Sequence, residues 1–342
     1  MIQTIRSTDE LNRILSEPSD RLIEDLSDLK GDILLLGAGG KMGPSLAMMA
    51  QRTVELAGLS SRVIAVSRFS DPAQKTLLEN QGVYTISADL MDEEALENLP
   101  DASNVIFLAG TKFGTSGNEC FTWAMNSYLP GRVASRYAGS RIVAFSTGNV
   151  YPLTPVDSGG ADEETQPGPV GEYAQSCLGR ERIFEYFSRT AGTAILIYRL
   201  NYAIDLRYGV LHEIGQAVYE KRPVDLTMGY VNVIWQGDAN EFALRCLKHC
   251  TSPPTVLNVT GSQTLPVREL AERFGNHFGR RPHFENREAK TALLSNARRA
   301  IRHFGEPIIS LDQMIHWTAE WIRIGGETLD KPTHFQQREG KF

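Results

Sequence analysis

Cysteine is scarce in this chain, with four in 342 residues. Cys246 and Cys250 stand one helical turn apart, but no second ligand pair accompanies them. That argues against both a zinc site and a disulfide framework, and the cysteines read as reduced thiols of a cytoplasmic protein. Long apolar runs are also lacking. None approaches the ~20 residues of a membrane-spanning helix, and the N-terminal MIQTIRSTDELNRIL has charges throughout and no signal-peptide core. Positive charge is not in excess: 35 Lys and Arg stand against 41 Asp and Glu, a net charge of −6. Nothing there favours nucleic acid or an anionic membrane as partner. The seven histidines show neither metal-ligand spacing nor a triad partner set, so no metal is expected. Low-complexity segments and internal repeats are absent too. The composition that remains, 42% apolar and 22% charged, is that of a globular protein with room for one large domain or two joined ones.

The most informative stretch is ILLLGAGGKMG, residues 33–43. Four apolar residues read as a buried strand, Gly37, Gly40 and Gly43 follow at three-residue steps, and the helix-like SLAMMAQRTVELAG comes next. A dinucleotide needs this order. One glycine takes the turn's unusual backbone angles, one leaves room for the pyrophosphate, and one lets the helix pack close to the strand. The helix N-terminus then offers N–H groups to phosphate. The whole turn, with Lys41 and Met42 inside it, is the expected seat of a cofactor.

Around this turn the pattern alternates. Residues 1–30 carry spaced apolar positions, suggesting one or two amphipathic helices as an N-terminal extension. Strands are expected at 63–66, 83–92, 105–112, 141–151 and 193–201, some running into polar ends or loops, with helical patterns between them. Apolar strands alternating with helices predict a Rossmann-like, doubly wound parallel sheet over residues 31–202. From 203 to 342 the rhythm becomes that of a smaller mixed α/β region, partly interleaved with the first and expected to bind substrate. The residues from Gly325 on read as frayed or loosely docked. The strand at 63–66 ends in Ser67 and Arg68, with no carboxylate until Asp71. An acid at that place holds the ribose 2′-hydroxyl and an arginine accepts a 2′-phosphate, so the cofactor reading is NAD(P), leaning to NADP. Asp89 would sit at the end of the next strand, where open α/β sheets bind ligands.

Thr147 ends the fifth expected strand and Tyr173 opens the following helix. A strand-end hydroxyl and a helix-borne phenol can converge to polarise a substrate oxygen and exchange a proton with it, although most Thr and Tyr residues are structural. Here the chain resembles the extended short-chain dehydrogenase/reductases, the NAD-dependent epimerase/dehydratase family, from about residue 31 to 322. The glycine pattern matches the family's GxxGxxG. Asp89-Leu90 matches its Asp-Leu and implies an adenine contact. LAGTKFGTSG resembles a cofactor loop, which implies cofactor roles for Ala109, Gly110 and Lys112. Asn126 matches the family's helix asparagine. STGNVY and YAQSCLGRE match the segments that carry the catalytic hydroxyl and tyrosine, which implies those roles for Thr147 and Tyr173. VIWQGDAN, with Asp238, and VLNVTG resemble two later family segments. The resemblance implies hydride transfer on a sugar, sugar acid or nucleotide sugar, and a homodimer through the helices near 120–136 and 173–190.

Two departures qualify that expectation. The family's lysine, four residues after the tyrosine, is Cys177 here. A free phenol titrates near 10, so without a neighbouring cation only ~0.1% is phenolate at pH 7. Such a phenol can donate a proton but is a poor base, which counts against a standard epimerase. Lys112 or Arg180 could substitute as the cation, the cofactor and substrate could tune the site themselves, or redox chemistry could be lost. In the last case the chain is a dinucleotide-binding sensor or partner subunit. The family's dehydratase acids fall on Gly148 and Asn149, which disfavours dehydration. The substrate side is expected to use Asn149, Arg199, Asn201 and Arg207, with Tyr208 beside the last.

Overall fold

The computed structural model describes residues 4–112, 117–329 and 331–340. At its centre lies a seven-stranded, wholly parallel sheet. Its strands in chain order are β1 (Ile33–Leu36), β2 (Val63–Ser67), β3 (Tyr84–Ser87), β4 (Asn104–Phe107), β5 (Arg141–Thr147), β6 (Ala194–Leu200) and β7 (Thr255–Val259). Across the sheet the order is β7-β6-β5-β4-β1-β2-β3. The order reverses between β1 and β4, and a crevice opens at the carboxyl ends beside such a switch point. All four residues of β1 are buried, as expected of a central strand covered on both faces. β7 comes from the C-terminal half of the chain and pairs with β6, so the two regions expected from the sequence share one sheet.

Local signals set the helix ends. Ser7 and Ser19 cap the helices Thr8–Leu15 and Asp20–Leu26 by accepting the Glu10 and Leu22 amides. These helices form the expected N-terminal extension, and they are built into the core. Leu22, Leu26 and Leu29 pack into the apolar cluster of the helix Gly43–Leu56, while Leu11 and Leu15 join that of the C-terminal region. The long helix Gly171–Ala191 ends on Gly192, whose φ of 71° is the left-handed conformation that glycine adopts at least cost. Trp317 and Trp321 are buried, as expected of core residues, and Trp317 packs edge-on to Trp235. No helix among the described residues is long and apolar enough to cross a membrane.

The end of the chain departs from the sequence expectation. Beyond Gly325 the described residues are docked, not frayed. Glu327 O accepts from Trp321 Nε1 at 2.9 Å, the Leu329 amide donates to Arg207 O at 3.0 Å, and Phe335 is buried in the C-terminal apolar cluster. Glu213 accepts from the Thr333 amide and hydroxyl and from Gln336 Nε2, and Arg338 donates to Thr291. The local composition is polar, and two of the partners that hold it, Arg207 and Glu213, lie over a hundred residues upstream.

Every residue of the helix Gln236–Arg245 is buried, Asp238 among them. Its carboxylate accepts the Ile309 amide at 3.0 Å. Burial pushes its pKa up to about 7, with Glu241 adding to the shift and the Ile309 and Ile308 amides opposing it. The native state therefore keeps a proton that the unfolded chain releases near pH ~4. Between about pH 4 and about pH 7 the native state binds more protons, and stability falls as pH rises. Asp238→Asn removes that term, so its melting temperature should fall less across this window than that of the parent protein. Parallel declines in the two proteins would contradict the assignment.

Candidate active site at the carboxyl edge of the sheet

The glycine turn is shaped as its spacing predicts. Gly37 has a φ of 88°, and a Cβ there would stand 2.6 Å from the Ala109 amide nitrogen. At Gly43 a Cβ would lie 2.1 Å from Ala38 O, so this glycine admits the helix against the strand. Gly40 is different. Its Cβ would meet nothing nearer than Gly37 O at 3.6 Å, so the space beside it is open. Met42, which precedes the helix Gly43–Leu56, supplies no side-chain cap, so the first-turn N–H groups face the opening without one. An open glycine beside an uncapped helix start fits a pyrophosphate.

Two cavities meet at this turn. The larger, about 400 Å³, is lined by Gly37, Gly39, Gly40, Ser67, Arg68, Asp71, Asp89, Leu90, Ala109 and Gly110, among others. It gathers most of the residues expected to bind the cofactor. Arg68 is exposed at its rim, and Asp71 caps the next helix by accepting the Ala73 amide at 2.9 Å. The smaller cavity, about 170 Å³, is lined by Lys41, Met42, Lys112, Ser146, Thr147, Asn149, Tyr173, Asn201, Tyr202, Tyr208 and Thr333, among others. Lys41 and Met42 thus face this second space and not the larger one. Asn126 lines neither cavity. It is buried in a π-helical turn (Ala124–Tyr128), and its side-chain amide clamps both backbone groups of Thr111 at 2.9 Å, which fixes the loop after β4.

Thr147 and Tyr173 converge as expected and hydrogen-bond to each other. Thr147 Oγ1 accepts from the Asn149 amide at 3.2 Å and from Asn149 Nδ2 at 3.0 Å. Its own proton is therefore the one left for the Tyr173 oxygen. Cys177, 1% exposed, hydrogen-bonds to Tyr173 on the other side. Desolvation pushes the Tyr173 phenol well above its ordinary value near 10. The Cys177 thiol adds to the shift, while the Arg180 guanidinium and the Thr147 bond oppose it. The phenol is a proton donor at neutral pH. Arg180 is the buried cation one turn beyond Cys177. It donates to Phe145 O at 2.7 Å and to Asn126 Oδ1 at 2.8 Å, and it stands so close under Gly110 that a Cβ there would meet Nη2 at 2.4 Å.

Of the four residues expected on the substrate side, Asn149 and Asn201 line the small cavity, and the two arginines do not. Arg199 is buried in a two-pronged ion pair with Glu181, with Nε to Oε1 at 2.9 Å and Nη2 to Oε2 at 2.6 Å. Its third nitrogen donates to the Tyr151 hydroxyl, which in turn donates to Asn258 Oδ1 at 2.8 Å. Arg207 is held by Asp205 through Nε at 3.1 Å and Nη2 at 2.7 Å. Tyr208, its neighbour, turns into the cavity instead. The sequence reading missed Ser146, Tyr202 and Thr333 in the lining, and the direction of Lys41. A charged residue inside a glycine turn was the one available signal for the last.

Neither a family model nor a curated protein matches the sequence. Solved structures do. An epimerase of the methanogen Methanothermobacter thermautotrophicus superposes with a TM-score of 0.73 at 17% identity, over 90% of this chain and 96% of its own. The UDP-glucuronic acid 4-epimerase of Bacillus cereus in complex with NAD gives 0.70 at 16% identity, over 85% and 98%. The UDP-glucose 4-epimerase of Thermotoga maritima with UDP-glucose gives 0.67 at 18%, again over 85% and 98%. The fold is thus the Rossmann-like α/β fold of these epimerases.

Because Arg199 is structural, its removal is costly. Arg199→Met leaves the Glu181 carboxylate buried and unpaired, which should cost about 3–5 kcal/mol in urea unfolding. Stability within about 0.5 kcal/mol of the parent would contradict this and return Arg199 to the substrate side.

Proposed function

We propose that this chain is a nicotinamide-dinucleotide-dependent enzyme that transfers hydride to or from a carbohydrate at Thr147 and Tyr173. The observation that carries the reading is the meeting of that hydroxyl and that phenol in a cavity opening beside a glycine turn fit for pyrophosphate. Several proteins of similar fold are described with NAD bound, which supports the cofactor class. When bound, the cofactor would supply or accept the hydride. Gly37, Gly40 and the start of the helix Gly43–Leu56 would hold its pyrophosphate, and Asp89 and Leu90 would border its adenine. Ser67 and Arg68 at the cleft rim, with Asp71 committed to its helix cap, favour NADP over NAD.

The chain's own residues define the proton chemistry. Thr147 holds the reacting oxygen, oriented by its two bonds from Asn149. Tyr173 gives its proton to that oxygen as a carbonyl is reduced, and the resulting phenolate is balanced by Arg180 below and reprotonated from solvent. With no lysine at position 177 and the phenol held neutral, net reduction fits better than an epimerisation that must begin by removing a hydroxyl proton. Exposed Phe121, Trp123, Tyr128 and Tyr186 lie on the two helical segments expected at a dimer contact, which supports a homodimer.

The test is a fluorescence titration with NADH and NADPH. NADPH should bind more tightly. Gly40→Ala should fold normally and lose affinity for both, because its methyl group enters the space reserved for pyrophosphate. Tyr173→Phe should keep cofactor affinity and lose turnover by about 10²–10⁴-fold. Unchanged turnover would overturn the catalytic assignment. Binding without hydride transfer to any carbohydrate would favour the sensor reading.

A further inference from the structure

The C-terminal segment forms part of the wall of the proposed active site. Thr333 is buried and lines the cavity shared by Thr147 and Tyr173. Its carbonyl accepts from Lys112 Nζ at 3.3 Å, so the tail also touches the loop after β4. Further along, Gly340 lies against the start of the helix that carries Tyr173. A Cβ on Gly171 would meet Gly340 O at 2.2 Å, and one on Gly340 would meet Val170 O at 2.1 Å. Upstream, the Leu329 amide donates to Arg207 O at 3.0 Å. The tail thus touches the substrate region, the β4 loop and the Tyr173 helix at once.

A single side chain gathers the bonds that hold this segment. Glu213, on the helix Val210–Tyr219, accepts through Oε2 from the Thr333 amide at 3.0 Å and from the Thr333 hydroxyl. Through Oε1 it accepts from Gln336 Nε2 at 3.0 Å. Both carboxylate oxygens are given to the tail, and Glu213 itself is not among the residues that line the cavity. The Thr333 hydroxyl in turn accepts the Phe335 amide at 3.1 Å, and Arg338 donates to Thr291 O at 2.8 Å and Oγ1 at 2.6 Å. Between these anchors Lys331, Pro332, Gln337 and Glu339 are exposed. A terminal segment held mostly by polar bonds opens locally at far less cost than a sheet. The opposite residues lack that freedom, since Thr147 belongs to the central sheet and Tyr173 to a helix of 21 residues.

A wall that opens is required here. The proposed reaction brings a nicotinamide ring and the reacting carbon of a carbohydrate together at Thr147 and Tyr173. The cavity measures about 170 Å³, well below the ~300–1,000 Å³ of sites that enclose one drug-sized ligand, and it must take parts of two molecules. We infer that the segment 331–340 is a gate of the active site, latched by Glu213. Docked as in this structure, it excludes the full set of reactants, and its release from Glu213 opens their way to Thr147 and Tyr173. The inference rests on the hydride-transfer reading for what enters the cavity. The motion itself is measured without turnover.

The test compares the full chain with its Glu213→Gln variant. That substitution replaces a charged acceptor by a neutral one that also presents an N–H group, so the bond from Gln336 is lost. Hydrogen–deuterium exchange at residues 331–340 of the free protein should rise about tenfold, the effect of weakening hydrogen bonds to a charged group. Exchange in the helix Leu311–Arg323 should stay as it was. Reductive methylation of Lys41 and Lys112, which line the cavity, should quicken by about threefold or more as the open fraction grows, with exposed Lys30 unchanged as the control. NADPH association, followed by fluorescence, should quicken and its affinity tighten, because a gate shut in the free protein lowers apparent affinity by the open fraction. Saturating NADPH should in turn raise exchange at 331–340 in the parent chain. Gln336→Ala, which leaves the cavity lining intact, should act in the same direction to a smaller extent, and melting curves establish that both variants are folded. Tail exchange that rises while lysine labelling and NADPH association stay unchanged makes the tail a structural appendage and overturns the inference. So does exchange at 331–340 that Glu213→Gln leaves unchanged or that NADPH slows. If NADPH binds neither protein while tail exchange and lysine labelling rise together, the gate stands and the cofactor reading fails.

Discussion

The active edge of this molecule hangs on one buried ion pair. Arg199 at the end of β6 and Glu181 on the helix Gly171–Ala191 are both almost wholly excluded from water. Either charge left alone there is costly, because breaking a buried pair forfeits about 3–5 kcal/mol, a large part of a domain's net stability. The pair recruits more partners. Ser146 of β5 donates to Glu181, Tyr151 accepts from Arg199, and Asn258 of β7 accepts from Tyr151. Three adjacent strand ends and the long helix are thereby locked in register. Thr147 follows Ser146 directly, and Tyr173 lies on the same helix as Glu181. The network thus positions both residues of the proposed reaction, and it reaches the cavity through Ser146.

A second buried cation lies one turn beyond Cys177, the position at which the resembled family carries a lysine. Arg180 sits under the β4 loop and is held by backbone carbonyls and by Asn126. Cys177 occupies the intervening turn as a small apolar residue packed with Val150 and Tyr151. Positive charge is thereby withdrawn from direct contact with Tyr173, and the phenol keeps its proton. Lys41 and Lys112 both line the cavity beside Thr147 and Tyr173.

Much of this was legible in the sequence because it rests on local constraints. The glycine spacing expresses a backbone requirement that acts within ten residues, and the sheet follows from apolar runs alternating with helical periods. Thr147 and Tyr173 were legible through the segments that carry them. The assignments that failed depended on distant partners. Nothing near Arg199 announces that Glu181, on another element, will neutralise it, and nothing near Arg207 distinguishes pairing with Asp205 from reaching a ligand. The tail is polar by composition, yet Phe335 and Thr333 find burial and bonds at Glu213 and the C-terminal core. Lys41 stood inside a motif usually read only through its glycines, so its charge was visible there but the direction of its side chain was not.

The central claim is that one cavity brings a carbohydrate against a nicotinamide cofactor at Thr147 and Tyr173. The most direct measurement is transfer of label from NADPH deuterated at the transferring position of its ring, with the product read by mass spectrometry and NMR. The account predicts deuterium on a single carbon of a carbohydrate, the carbon bearing the newly formed hydroxyl. Cofactor bound with no label leaving it for any carbohydrate would contradict it.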